Sequence, residues 1–337
     1  MSTIVTLPQA KSKFLESISL QRSDSTLRAY SNALETFLNM LSNQKIDIST
    51  LPVADLRETS ISDFVIYIKN LSPATENLYL QVIKNFFEFL YAENLATINV
   101  SQVRMLIRQR TRRIKTQTSE YPEEEIKILI NAMQKIASDP LIDNQPATML
   151  MRDMRDSALI LTLADTGLRV EEVCKMKIGD IDWMNNRAIL NGQGGKQSII
   201  RFSTRAIHAL KAYLDCRSLL IHKKSGRDIS TLPLFARHDK GAGAKIKPVT
   251  SATVRNIVGD RVNQYLGAES AGIITPHTFL HYFITTILRS TGNLKLAQIL
   301  ARHSNIQITQ KYAHLSDDEL DKGYYDIFEQ KKGPDEA

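Results

Sequence analysis

The chain has 337 residues, a hydrophobic fraction of 43% and a formal net charge of +7. It is long enough for two domains that each bury a core. No apolar run approaches the roughly 20 residues needed to span a bilayer, and residues 1–20 lack the features of a secretory signal. Cys174 and Cys216, without metal-type spacing, suit a reducing cytoplasm and are expected to pack as small core residues. A cytoplasmic, mostly helical protein is therefore expected.

Residues 1–103 are predicted to form a domain of four or five short amphipathic helices. Apolar side chains at helical spacing predict one helix over Ser25–Leu41, capped by Asp24-Ser25, and another over Ser60–Asn70. A third helix begins at Ser72-Pro73. Its predicted inward side chains are Leu78, Val82, Phe86, Phe89 and Leu90.

A dense group of cations follows this first domain. Its members are Arg104, Arg108, Arg110, Arg112, Arg113 and Lys115. Because a Thr/Gln/Ser-rich piece comes next, residues 104–121 are predicted to be a linker rather than a packed helix. This linker either lines a polyanion such as DNA or is a solvated connector, and charge alone does not decide between the two.

Residues 122–330 predict a second, larger domain that is mainly α with a small β-sheet. Acidic residues at Glu123–Glu125 suit the first turn of a helix, and Met151–Ala164 reads as an apolar helix that Gly167 ends. Alternating patterns at 187–190 and 198–202 around a Gly-rich turn predict a hairpin. Further helices are predicted over Thr204–Leu220, Ser251–Leu266, Pro276–Ser290, Asn293–Ala301 and Asp317–Phe328, before a tail at 331–337.

Four residues in this second domain form an ordered pattern. Arg169 lies in T-G-L-R-V-E-E, His277 in T-P-H-T-F-L-H, and His303 in R-H-S-N, with Tyr312 nine residues after His303. Arg, His, His and Tyr in this order resemble the tyrosine recombinase (phage integrase) family, which includes Xer- and Cre-like proteins. That family cuts and rejoins DNA through a phosphotyrosine bond.

The resemblance implies a role for each of these residues. Tyr312 would be the nucleophile, while Arg169, His277 and His303 would handle phosphate charge and protons. Glu172 would brace the Arg169 guanidinium from three residues away. Neither a cofactor nor a metal is implied.

The resemblance also implies partners and an architecture. The two domains would form a clamp around double-stranded DNA, with the basic linker between them. Homotetramers on paired sites, or complexes with a related recombinase subunit, would form through a C-terminal helix around Leu320–Phe328.

Two positions depart from the family pattern. Leu280 stands where the family has its second phosphate-binding arginine, and Gln193 stands where a hairpin lysine protonates the leaving 5′ oxygen. Lys196 is a nearby substitute for that lysine, and Arg302, where many members have glycine, adds a cation at a different angle. The chain is thus either a catalytically weakened site-specific recombinase or a DNA-binding protein, active at most with a partner. Leu280→Arg with Gln193→Lys is expected to raise cleavage if the rest of the site is intact.

Overall fold

The structure, a computed structural model, describes residues 5–112, 121–139, 146–191, 197–221, 228–239 and 246–310. The chain divides into two compact units, Met1–Ser119 and Glu120–Ala337. The predicted mainly α fold with a small sheet is confirmed, whereas the predicted domain limits stay predictions. Several predicted features lie outside the described residues: Arg113, Lys115, Gln193, Lys196, Tyr312 and the helix Asp317–Phe328.

The described part of the first unit contains five α-helices. They are α1 (Leu7–Ser19), α2 (Asp24–Asn43), α3 (Ser60–Tyr67), α4 (Pro73–Ala92) and α5 (Val100–Arg110). The cap of α2 is Ser23, one residue before the predicted position, and its hydroxyl accepts from Thr26 N at 3.4 Å. A buried aromatic cluster of Phe14, Phe37, Phe64, Phe86 and Phe87 joins four of the helices.

Two predictions for this unit are wrong. Leu78 does not face inward and is 43% exposed, because Leu80 and Ile83 occupy the buried face of α4. The start of the predicted linker is also helical, since α5 runs to Arg110. Val103 and Ile107, four residues apart on one face of α5, are buried, so the packing of two apolar residues outweighs the surrounding charge.

The second unit combines helices with one antiparallel sheet. Its described helices are α6 (Glu123–Ser138), α7 (Ala147–Thr166), α8 (Val170–Lys175), α9 (Thr204–Ile221), α10 (Ser251–Leu266), α11 (Pro276–Thr291), α12 (Leu294–Leu300) and α13 (Ile306–Gln310). Its strands are β1 (Ile181–Asp182), β2 (Arg187–Asn191) and β3 (Gln197–Arg201), in the order β1-β2-β3. Ile189 pairs with Ile199 in the β2–β3 hairpin.

Helix α7 is the central element of the second unit. It packs against α6, α9 and α11, and nearly every side chain from Met154 to Thr166 is buried. Buried charges on α7 are paired: Asp156 accepts from Arg155 at 2.6 Å and from Arg261 of α10 at 2.8 Å. This network ties α7 to α10 and fixes the helix whose C-terminus carries the candidate site.

Two further predictions can be compared with the structure. Cys174 and Cys216 are free, half-buried and packed against the core of the second unit, and burial raises the pKa of both thiols. Among the described residues, no helix combines the length and apolar character needed to cross a membrane.

Candidate functional site

The turn that carries Arg169 is fixed by a glycine. Helix α7 ends at Gly167, whose φ of 59° is left-handed, and a Cβ at that position would collide with the Phe283 ring of α11. Arg169 then caps α8, and its backbone N–H donates to Glu172 Oε2 at 2.8 Å. The Arg169 guanidinium contacts Glu172 Oε1 at a longer 3.4 Å and is 44% exposed. The predicted brace is present, and the fork of Arg169 remains open to solvent.

Two histidines lie one turn apart on α11. Pro276 begins the helix after Thr275, and His277 follows on its exposed first turn. The ring centroids of His277 and His281 are 4.6 Å apart, in an edge-to-face arrangement. His281 was not singled out from the sequence, although its spacing of four residues from His277 signals a shared helix face.

Three hydrogen bonds hold His303 in place. Its backbone N–H donates to Gln298 O at 3.0 Å, and its carbonyl accepts from Gln298 Nε2 at 3.0 Å. Its ring Nδ1 lies 2.9 Å from Thr309 Oγ1 of α13. The ring is buried, and Nε2 is the nitrogen that this hydrogen bond leaves for a substrate.

The residue before His303 has an unusual backbone. Arg302 has a φ of 58°, a left-handed conformation that costs a non-glycine residue roughly 1–2 kcal/mol. Its side chain crosses to the Arg169 turn and donates to Gly167 O at 2.6 Å and Glu172 Oε2 at 2.9 Å. The structure therefore brings the segments around Arg169 and His303 together through Arg302.

Burial and nearby positive charge keep the histidines neutral. Burial is the main cause that lowers the pKa of His277, with a smaller contribution from Arg169. For His303, burial acts first in lowering the pKa, followed by Arg169, Arg302 and His277. Burial, His277 and His303 lower the pKa of His281 to about 4. At neutral pH the histidines can act as hydrogen-bond partners or proton acceptors rather than as fixed cations.

Leu280 does not occupy an open position beside the two histidines. It is 3% exposed and packs with Ile284 of the same helix, and with Ala297 and Ala301 near α12. An arginine at this position would bring a charge into an apolar cluster, which is costly unless the charge is paired. The expectation that Leu280→Arg simply adds a phosphate ligand therefore needs revision.

Arg289, the single arginine of α11, lies near the C-terminal end of the helix, nine residues after Leu280. It pairs with Glu123 of α6. This ion pair engages Arg289 with α6 rather than with the two histidines at the start of α11.

The described cations in and just after α5 fall into two groups. Arg104 pairs with Glu88 at 2.8 Å, and Arg112 pairs at 2.9 Å with Glu76, whose side chain is 1% exposed. Arg108 and Arg110 have no ion pair with another described residue, and both are exposed on the last turn of α5. These two are the described cations of the cluster best placed to meet a polyanion.

Comparison with known proteins places this arrangement in a family. A profile of the phage integrase family matches residues 121–319, the segment that contains Arg169, His277, His303 and Tyr312. The chain belongs to the phage integrase family. It is 30% identical over 318 residues to the tyrosine recombinase XerC of Bacillus pumilus, covering 92% of this chain and 93% of the relative. The XerC of Bacillus subtilis is also 30% identical, with the same coverage.

Solved structures of the family share the fold. A Tn1549 transposon integrase in complex with a circular intermediate DNA superposes with a TM-score of 0.62 at 18% identity, covering 95% of this chain and 99% of that one. The XerH site-specific recombinase bound to a palindromic difH substrate gives 0.61 at 20% identity, covering 89% and 79%. At these identities the likeness shows the fold.

Proposed function

We propose that this protein is a site-specific DNA recombinase that cuts and rejoins duplex DNA through Tyr312. The observation that carries the proposal is the contact between the segments of Arg169 and His303, which Arg302 joins through Gly167 and Glu172 in a chain that belongs to the phage integrase family. Integration, excision and resolution are all outcomes of this one chemistry.

The proposed reaction is a transesterification. The Tyr312 phenolic oxygen forms a bond to the scissile phosphorus, the bond from phosphorus to the 5′ oxygen breaks, and a 3′-phosphotyrosine remains. The phenol loses one proton and the 5′ oxygen gains one, so no oxidant, reductant or water is consumed. Rejoining is the same exchange in reverse with a new 5′ hydroxyl.

Each described residue has a role that its surroundings support. The exposed Arg169 fork suits bidentate binding of the nonbridging phosphate oxygens. The exposed His277 would donate a hydrogen bond to the same phosphate. Neutral His303, with Nδ1 held by Thr309, would offer Nε2 to accept the phenol proton. Lys196 remains the candidate acid for the 5′ oxygen.

The alternative function is DNA binding without cleavage, or cleavage only beside a related recombinase subunit. It is favoured by Leu280, which packs in an apolar cluster where the family has a phosphate-binding arginine. Gln193 adds to the case, because an amide is not a general acid near neutral pH. Losing one group that stabilises charge in the transition state, such as the arginine missing at Leu280, typically slows catalysis by about 10²–10³. DNA binding through many backbone contacts would survive both changes.

Trapping of a covalent complex tests the proposal. Duplexes that bind the purified protein would be selected from a random library, and a nick placed near the cleavage point would make the cut irreversible. We expect a slow but measurable covalent adduct in the wild type and none in Tyr312→Phe, with equal DNA affinity. An adduct that persists in Tyr312→Phe would contradict the assignment of the nucleophile.

Gln193→Lys separates a weakened enzyme from a binding protein. It restores the leaving-group acid without disturbing the cluster around Leu280, so it is a cleaner change than Leu280→Arg. We expect adduct formation to rise by about 10- to 100-fold, towards the usual contribution of a general acid. If neither the wild type nor this variant forms an adduct at pH 6–9, the protein only binds DNA.

A further inference from the structure

The Arg302 side chain uses its donors within the protein. Nη1 donates to Thr166 O at 3.3 Å and to Leu300 O at 3.1 Å. Nη2 donates to Gly167 O at 2.6 Å and to Glu172 Oε2 at 2.9 Å. These contacts account for the four N–H bonds of the two terminal nitrogens. The remaining donor, Nε, is buried and has no hydrogen-bond partner within the described part of the chain, and the side chain is 9% exposed.

The conformation and burial of Arg302 both lower the stability of the folded protein. The guanidinium is buried, and its backbone is in the left-handed region that glycine adopts without strain. A buried charge and a strained backbone persist only where contacts with the surrounding structure enforce them. Such outliers cluster at functional sites. Three of the four acceptors of Arg302 belong to the residues that end α7 and brace Arg169. The next residue along the chain is His303.

We propose that Arg302 is a positioning residue for strand cleavage. Its planar guanidinium connects the Thr166–Gly167 turn and Glu172 to the turn before His303. These contacts hold Arg169 and His303 at a fixed distance and orientation relative to each other. Because Oε2 of Glu172 is shared with Arg302, the carboxylate holds Arg169 only loosely, at 3.4 Å, and leaves its fork open for phosphate. The inference rests on the proposed function, since it assigns a role within that cleavage site.

Arg302 does not replace the missing phosphate arginine directly. A phosphate ligand needs free donors that point to solvent, as Arg169 has, whereas the terminal donors of Arg302 are bound to protein acceptors. Its charge still acts on the site, because it helps to lower the pKa of His303. Arg302 is therefore expected to act mainly by positioning Arg169 and His303, and to a smaller extent by lowering the pKa of His303.

Two substitutions separate these effects. Arg302→Gly removes the fork and the charge and relieves the backbone strain, whereas Arg302→Lys keeps a charge that cannot reach all four acceptors at once. Lys45→Gly is the matched control, because Lys45 is an exposed cation of the first unit with a φ of 61°. Single-turnover adduct formation would be measured at saturating DNA, beside DNA affinity and thermal unfolding.

We expect both Arg302 variants to form the Tyr312 adduct about 10- to 100-fold more slowly, the loss typical of outer partners that orient a site's ligands. DNA affinity should change less than about threefold, because phosphate-backbone contacts elsewhere dominate binding. Lys45→Gly should match the wild type. Wild-type rates in Arg302→Lys would overturn the proposal by showing that charge alone suffices, and wild-type rates in Arg302→Gly would show that the residue is dispensable.

Histidine NMR titration of the full chain gives a readout that does not depend on cleavage. Removing the cation should raise the pKa of His303 in Arg302→Gly, with Arg169, His277 and His281 still facing the ring, and Arg302→Lys should keep it low. The His238 signals of the same unit serve as a reference and should not move. An unchanged His303 pKa in Arg302→Gly, or altered His238 signals from general unfolding, would overturn the proposal. If the wild type forms no adduct, that result counts against the proposed function instead. The His303 titration would then be the test of the role of Arg302.

Discussion

At the residue scale, His238 shows how burial sets the charge state of a side chain outside the candidate site. Its Nε2 lies 2.8 Å from Tyr213 Oη, and the two rings meet edge to face with centroids 5.7 Å apart. Burial lowers the pKa of His238 to about 3, with the help of nearby cations and against the effect of Asp239. The cations are Arg155, Arg217 and Arg152.

This neutral histidine predicts a pH-dependent stability. The folded pKa of about 3 lies below the ordinary value of 6.5, so the unfolded chain binds more protons at intermediate pH. The free energy of unfolding should therefore fall as pH drops from about 6.5 towards 3. The slope contributed by His238 is at most about 1.4 kcal/mol per pH unit, and less because the ring is partly exposed.

Thermal unfolding of the full chain between pH 7.5 and pH 5 checks this prediction. His238→Gln keeps a polar partner for Tyr213 without titrating, so its melting temperature should fall less steeply with acidification than that of the wild type. His208→Gln, a change at an exposed histidine of α9, is the control and should follow the wild type. Parallel curves for the wild type and His238→Gln would refute the role of His238.

At the scale of elements, α5 shows that a basic run can form a packed helix and still leave cations exposed. Val103 and Ile107 fix the helix, and the ion pair with buried Glu76 makes Arg112 a structural residue. Exposed Arg108 and Arg110 remain for a polyanion. Arg112 is thus removed from the set of described cations expected to bind DNA.

The double variant Arg108→Ala/Arg110→Ala should weaken DNA binding and its salt dependence. Each lost phosphate contact lowers the slope of log affinity against log salt by about 0.9, so a decrease of one to two units is expected. Lys45→Ala/Arg57→Ala removes the same charge from exposed positions elsewhere in the first unit and should change the slope less. Equal slopes for the two variants would mean that α5 contributes only general charge.

At the scale of the whole molecule, each unit has its own core. The core of the first unit draws on residues from Leu7 to Ile107, and that of the second on residues from Ile126 to Phe279. A smaller apolar cluster of the second unit ends at Ala301. All of these buried side chains precede the predicted C-terminal helix.

Truncation after Ser316 removes the predicted C-terminal helix, which the family resemblance assigns to contacts with a neighbouring subunit rather than to the cores of its own chain. We expect a folded protein with a nearly unchanged melting temperature that binds DNA as a monomer. Native gels should then lack the higher complexes that the full chain is expected to form on paired sites. A large drop in melting temperature would show instead that the C-terminal segment stabilises its own chain.

The sequence by itself determined the elements and the order of the motif. Helical periodicity, a Ser-Pro helix start and a Gly-rich turn predicted α2, α4, α9 to α12 and the hairpin, because these signals act over a few neighbouring residues. The order of Arg169, His277, His303 and Tyr312 also indicated the family, because residue types and their order along the chain are properties of the sequence alone.

Only the tertiary structure decided where the side chains of Leu280 and Arg302 lie. Sequence spacing left Leu280 as a missing arginine and Arg302 as an extra cation at an unknown angle. Packing of α11 against α12 buries Leu280, and the meeting of two distant turns gives Arg302 its acceptors at Gly167 and Glu172. Contacts between segments so far apart depend on how whole helices pack, which local periodicity does not encode.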